Sequence, residues 1–213
     1  MIGKQEVKKP LFDRIGDILD APGFIKNITR QGFLKKTAFG HYAFHLAFVD
    51  RGFHIGVVTD VAIRHDDLEN LVFENTNGFI VPAGRRNTSS IGAELGRIRF
   101  SGHKEWPVHK ISEIDRTADA IVQEFLRVGM PYLEKYSDKE ILFRAFVQHG
   151  PDANLLNSIP LRSSLNTIAL AYLLGKMDIF TELANRQEAF LRPIPNSGIE
   201  IFQEFRKNLE TKA

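Results

Sequence analysis

The sequence predicts an α+β protein: an antiparallel sheet of four strands or slightly more in the N-terminal half, packed against helices and followed by a C-terminal helical segment. Three observations predict it. From Gly40 to Arg64 large apolar residues alternate with small or polar ones, with one reversal at Asp50-Arg51-Gly52. A period of two over that length marks a half-buried antiparallel hairpin. From Ser112 onward apolar residues recur at helical spacing, and strands precede helices without the alternation a doubly wound sheet requires.

Taken in order, Lys4 to Lys9 reads as a frayed tail, and Pro10 suits the first turn of a helix with Leu11, Ile15, Ile18 and Leu19 inward. Ala21-Pro22-Gly23 breaks it, and Phe24 to Arg30 reads as a further helical turn or two. Strand character begins at Phe33. The hairpin follows, with strands over about Thr37–Val49 and Phe53–Arg64; Phe48 facing Ile55 across an even loop keeps the bulky side chains on one face. His65 to Phe73 reads as a short helix, Phe79-Ile80-Val81 as a third strand, and Ile91 to Phe100 as a fourth, interrupted by Gly92 and Gly96. Gly102 to His109 reads as a loop or short edge strand.

Ser112 then caps a helix that ends at Gly129-Met130-Pro131, with Tyr132 to Tyr136 as a short helical link. Ser137-Asp138-Lys139-Glu140 starts another, closed at Gly150-Pro151. Helices from Ser163 to Leu174, after Asp178, and from Ser197 complete the chain. The organisation expected is one domain over 1–213, sheet-rich over 10–110 and helical over 111–213.

Composition bounds the chemistry. Seventeen phenylalanines against one tryptophan and four tyrosines predict a core of Phe and aliphatics. The absence of cysteine excludes disulfides, thiolate metal sites and cysteine nucleophiles. A net charge of +2 with scattered basic residues makes a nucleic-acid partner unexpected. The polar, lysine-rich Met1–Lys9 does not read as a signal peptide. The longest apolar run, Ile168–Leu174, is far below the ~20 residues of a spanning helix, so no membrane partner and a cytoplasmic location are expected.

The nearest approach to a chemical site is the second face of the hairpin, which carries His41, His45 and Asp60 among small residues, with His54 and Arg64 towards its ends. A His-Asp-His arrangement orients a general base or holds a ligand. Against a metal, His41 and His45 stand ~13 Å apart along one strand, and no H-x-H or H-E-x-x-H spacing occurs. The plainer reading is a semi-polar sheet face whose histidines find ordinary hydrogen-bond partners. Arg85 and Arg86, beside three hydroxyls, offer an anion-binding loop, although the strand-to-helix setting of a phosphate loop is missing. No complete catalytic set, metal site or cofactor motif emerges. Trp106 reads as a core plug or a partner anchor, the core role being preferred.

Several segments resemble, in order, a mostly bacterial α+β family known only as a domain of unknown function. They are Gln31–Lys36 leading into the hairpin, Ile91–Ile98 with Glu94-Leu95-Gly96, Lys104–Val108, and Val128–Glu134, with Leu174-Gly175 as a looser echo. These motifs specify a scaffold, and the resemblance implies a binding or immunity-type protein without assigning any functional residue. The expectation for function is therefore a non-enzymatic binding module whose partner, if it has one, is another protein. The alternative is a small-molecule or metal-binding enzyme using His41, His45 and Asp60.

Overall fold

The computed structural model describes residues 2–76, 88–100, 102–149 and 156–212. The fold is α+β, with a six-stranded antiparallel sheet and helices on both sides of it in the sequence. Contacts divide the chain into two compact units, Met1–Ile63 with Ala93–Glu134 and Arg64–Gly92 with Lys135–Ala213.

The sheet is built from β1 (Ile25–Asn27), β2 (Gly32–Thr37), β3 (Gly40–Asp50), β4 (Ile55–His65), β5 (Ile91–Glu94) and β6 (Glu105–Val108). Strands β1 to β5 lie in sequence order, and β6 pairs with Ile55–Val58 of β4. The alternation legible in the hairpin is realised. Phe44 stacks on Phe125 at 4.4 Å between ring centres and lies 6.1 Å from Phe33, which stacks on Phe12 at 4.5 Å. Phe24 meets Phe125 edge-on at 5.2 Å. These rings are the phenylalanine core anticipated from composition.

Helix α1 (Lys4–Leu19) packs along β3 and along α4 (Ile114–Glu124). It begins six residues before Pro10, correcting the frayed tail. Val7 extends the buried stripe of Leu11, Ile15 and Leu19, the Glu6 carboxylate accepts the Gly3 N–H at 2.7 Å, and Pro10 lies on the exposed side. There its missing N–H and the carbonyl it leaves unpaired are open to water.

Four further expectations are corrected. Phe24–Arg30 contains β1 rather than a helical turn, because its backbone pairs with Gly32–Leu34. Thr37 ends β2 instead of opening the next strand, since the chain turns at Ala38-Phe39 and Thr37 pairs with Gly40. The hairpin turn is four residues, Arg51–His54, closed by the Arg51 N–H donating to the His54 carbonyl at 3.0 Å. The loop stays even, so the faces are preserved, but closure through His54 rather than Phe53 means that Phe48 does not face Ile55 as expected, and Phe53 leaves the strand and is 70% exposed. The fourth strand stops at Glu94 and becomes helix α3 (Leu95–Phe100). A Cβ at Gly96 would lie 2.6 Å from the Gly102 carbonyl oxygen, so glycine permits this turn to press on the 102–104 backbone.

Helix α4 opens with a 3-10 turn at Ile111–Glu113 rather than a Ser112 cap; the Glu113 carboxylate accepts the His109 N–H at 2.8 Å. It also runs past its expected stop. A π-turn at Phe125–Gly129 leads directly into α5 (Met130–Lys135). The wider turn shifts the hydrogen-bond register just where Pro131 lacks a donor.

The second unit holds α2 (Asp66–Asn75), α6 (Lys139–His149), α7 (Pro160–Leu173), α8 (Met177–Leu191) and α9 (Ile199–Glu210). The Asp138 carboxylate accepts the N–H groups of Glu140 and Ile141, which makes Asp138 the cap of α6, one residue after the expected Ser137. Helix α7 packs on α2, α6, α8 and α9, and Leu165, Ile168, Phe180, Phe202 and Phe205 are buried. The proposed strand Phe79–Val81 and the helix stop at Gly150-Pro151 lie outside the described residues.

Candidate functional site

On the second face of the hairpin, β3 and β4 bring one predicted pair together. His45 Nδ1 lies 3.1 Å from Asp60 Oδ1, with both side chains partly exposed. Gly32 makes room for it. It pairs with His45 across β2 and β3, and a Cβ there would stand 2.6 Å from His45 Cδ2. A carboxylate beside an imidazole fixes the tautomer and strengthens the far nitrogen as a base or ligand. His41 shares this side of β3 by strand alternation and pairs with Lys36, ~13 Å along the strand from His45.

The other candidates go elsewhere. His54 precedes β4 and points to β6, where its Nε2 is 3.2 Å from Glu105 Oε1. Arg64 is buried and committed to Asp66 at 2.6 Å and to the Thr88 hydroxyl at 2.6 Å. Arg85 and Arg86 lie outside the described residues. Among the described residues no group of three or more His, Asp or Glu side chains is placed to hold a metal ion.

Two ionic clusters in the first unit were missed by sequence reasoning. Around Glu105, Arg51 donates to Oε2 at 2.7 Å, and His103 Nε2 stands 3.9 Å away while its Nδ1 is 2.9 Å from Glu94. The Arg51 hydrogen bond holds the Glu105 carboxyl below its ordinary range, and the carboxylate in turn raises Arg51. Around Glu124, which is buried, Arg99 and Arg127 both donate to Oε2, at 2.6 and 2.7 Å, and Lys104 Nζ lies 3.9 Å off. Lys104 also stands 4.6 Å over the Trp106 ring. The alternation Arg97, Arg99, Phe100, Lys104, Trp106 was the available signal for this second cluster.

The second unit buries a third network. Glu69 on α2 accepts from the Ser90 hydroxyl at 2.9 Å and from Arg162 of α7, and Asn166 donates to the Ser90 carbonyl at 2.7 Å. Burial pushes the nearby His65 imidazole below its ordinary value, although Nε2 is 3.0 Å from the Tyr136 carbonyl oxygen. This network fastens 88–92 to the helices. It pairs charges that would otherwise be costly to bury.

The exposed apolar side chains concentrate in the first unit. Phe53, Ile111, Phe100 and Leu126 are all about half exposed or more, as are Ile25 and Ile28 near the sheet edge. At the hairpin tip the Phe53 ring lies 4.6 Å from His54 and 6.5 Å from His109. No helix among the described residues is long and apolar enough to cross a membrane. Comparison with family models, with curated proteins and with solved structures finds no match to this chain.

Proposed function

We propose that the protein is a non-enzymatic protein-binding module that docks through the tip of the β3–β4 hairpin. The supporting observation is Phe53. It is 70% exposed, held against His54 and His109, and followed two residues beyond His109 by Ile111, itself 59% exposed. A large aromatic side chain pre-positioned in water by its neighbours is the kind of anchor on which interfaces concentrate their binding energy. The rim around it, Arg51 with Glu105 and His103, supplies polar groups that fix register. An immunity-type role, in which the docked protein is neutralised, is the form of this reading that accords with the resemblance above.

Site-specific photo-crosslinking in the native host tests it. A crosslinker at position 53 is expected to give one discrete protein adduct that Ile111→Ser diminishes, while a crosslinker at exposed Glu182 on α8 gives none. Equal yields at 53 and 182 would contradict the reading.

A second reading rests on the His45–Asp60 pair: a ligand or metal site on the sheet face. Calorimetric titration with zinc or nickel addresses it. Heat that His45→Ala abolishes would support it, and the absence of heat removes the metal version.

A further inference from the structure

Beyond the docking reading, and at a different place in the first unit, we infer that the cavity between β6 and the end of α4 is a nucleotide site, taking a phosphate and a nucleobase together. The cavity measures about 420 Å³, within the range of small-molecule sites at about 300–1,000 Å³, and is lined by Lys104, Trp106, Ala120, Gln123, Glu124 and Arg127.

Four features point to this ligand. Arg99, Lys104 and Arg127 surround a single carboxylate, so the cluster carries two positive charges in excess and suits a phosphate dianion. Cations flank a ring: Arg99 lies 4.4 Å and Lys104 5.4 Å from the half-exposed Phe100 ring, whereas Trp106 is 7% exposed beneath Lys104. An exposed ring flanked by cations is how proteins hold a nucleobase beside its phosphate. Glu124 is 5% exposed, yet its Oε1 has no hydrogen-bond donor while Oε2 receives two. A buried acceptor left without a donor is costly, and the N–H edge of a base supplies one. Finally, the π-turn begins at the next residue, Phe125, and such turns recur at functional sites.

Entry of a base against Trp106, which is 7% exposed, requires Lys104 to move off the ring and onto the phosphate. The nucleotide comes either free or as part of a single strand, and both present the same chemistry.

Trp106 is the only tryptophan in the chain, so its emission reports on this site alone. The test is to titrate the full chain with AMP, with a mixed-sequence single-stranded oligonucleotide, with adenosine and with inorganic phosphate. A saturable change is expected with AMP or the oligonucleotide, with adenosine and phosphate each weaker by about tenfold or more. Oligonucleotide binding much tighter than AMP assigns the polymer as the source; equal or weaker binding assigns the free nucleotide. Arg127→Glu should weaken binding at least about tenfold, Arg127→Lys should restore most of it, and Arg206→Glu on α9 should leave it unchanged. The proposal is overturned by an unchanged Trp106 signal with both AMP and the oligonucleotide. It is equally overturned if phosphate alone binds as well as AMP, or if Arg127→Glu binds like the parent.

Discussion

Gly32 of β2 lies directly opposite His45 of β3, and the space where its side chain would stand is taken by the imidazole that reaches Asp60. A methyl group there would lie 2.6 Å from His45 Cδ2 and also 2.6 Å from the Phe44 carbonyl oxygen. The imidazole can rotate away, but the backbone cannot. Gly32→Ala is therefore expected to destabilise the first unit by about 1–3 kcal/mol and to break the His45–Asp60 pair. Denaturant midpoints give the first effect, and the His45 ring resonances in NMR give the second. Unchanged resonances would mean that the glycine is not what seats the imidazole.

Gly129 ends the π-turn under equal pressure. A Cβ there would stand 2.7 Å from the Phe125 ring, 3.0 Å from Leu95 and 3.1 Å from Val61. Gly129→Ala should cost about 1–3 kcal/mol by overpacking. Gly52, with φ of 83° and open space around it, should respond differently. There alanine meets only backbone strain, and a loss of about 1 kcal/mol is expected. Urea denaturation of the two variants side by side checks the order.

In the second unit, Glu69 is the sole carboxylate directly bonded to Arg162 among the described contacts, and both side chains are buried. Glu69→Ala should destabilise the unit by about 3–5 kcal/mol, because a buried guanidinium loses its partner. The double variant Glu69→Leu with Arg162→Met should recover much of that loss. Double-mutant-cycle denaturation is the measurement, and additive losses would show that the two residues do not act as a pair.

Stability should also fall on mild acidification. Burial lowers the folded-state pKa of His65 below its ordinary value of 6.5. The folded protein then resists a proton that the unfolded chain accepts. The stabilisation is complete above about pH 6.5 and is lost as pH drops below it towards the folded value, after which the slope vanishes. Denaturant midpoints between about pH 7 and 5 should decline, and His65→Gln should flatten the decline. An equal slope in the variant would assign it to other groups.

Strand alternation made the hairpin legible. Tyr42, Phe44, Leu46 and Phe48 are all buried, and their spacing alone said so. Chain signals that tertiary contacts override were misread. Ile25–Asn27 becomes a strand because β2 offers backbone partners, and Pro10 is tolerated because Val7 continues a buried stripe. Of the candidate site, the His45–Asp60 pair was visible because neighbouring strands place alternate residues on one face. The Glu105 and Glu124 clusters were not, since their members are drawn from elements separated by up to 54 residues in the chain. Trp106 stands out in the sequence and Lys104 only as the start of the Lys104–Val108 segment, but folding is what brings Glu124 near Lys104 and lines one cavity with Trp106 and Ala120.

Phe53 carries the central functional claim, so the decisive measurement is the affinity of the adduct partner identified from position 53. Calorimetric titration of that purified protein into the parent chain and into Phe53→Ser should show a loss of about tenfold or more, with both chains equally folded. Identical affinities would contradict docking through the hairpin tip.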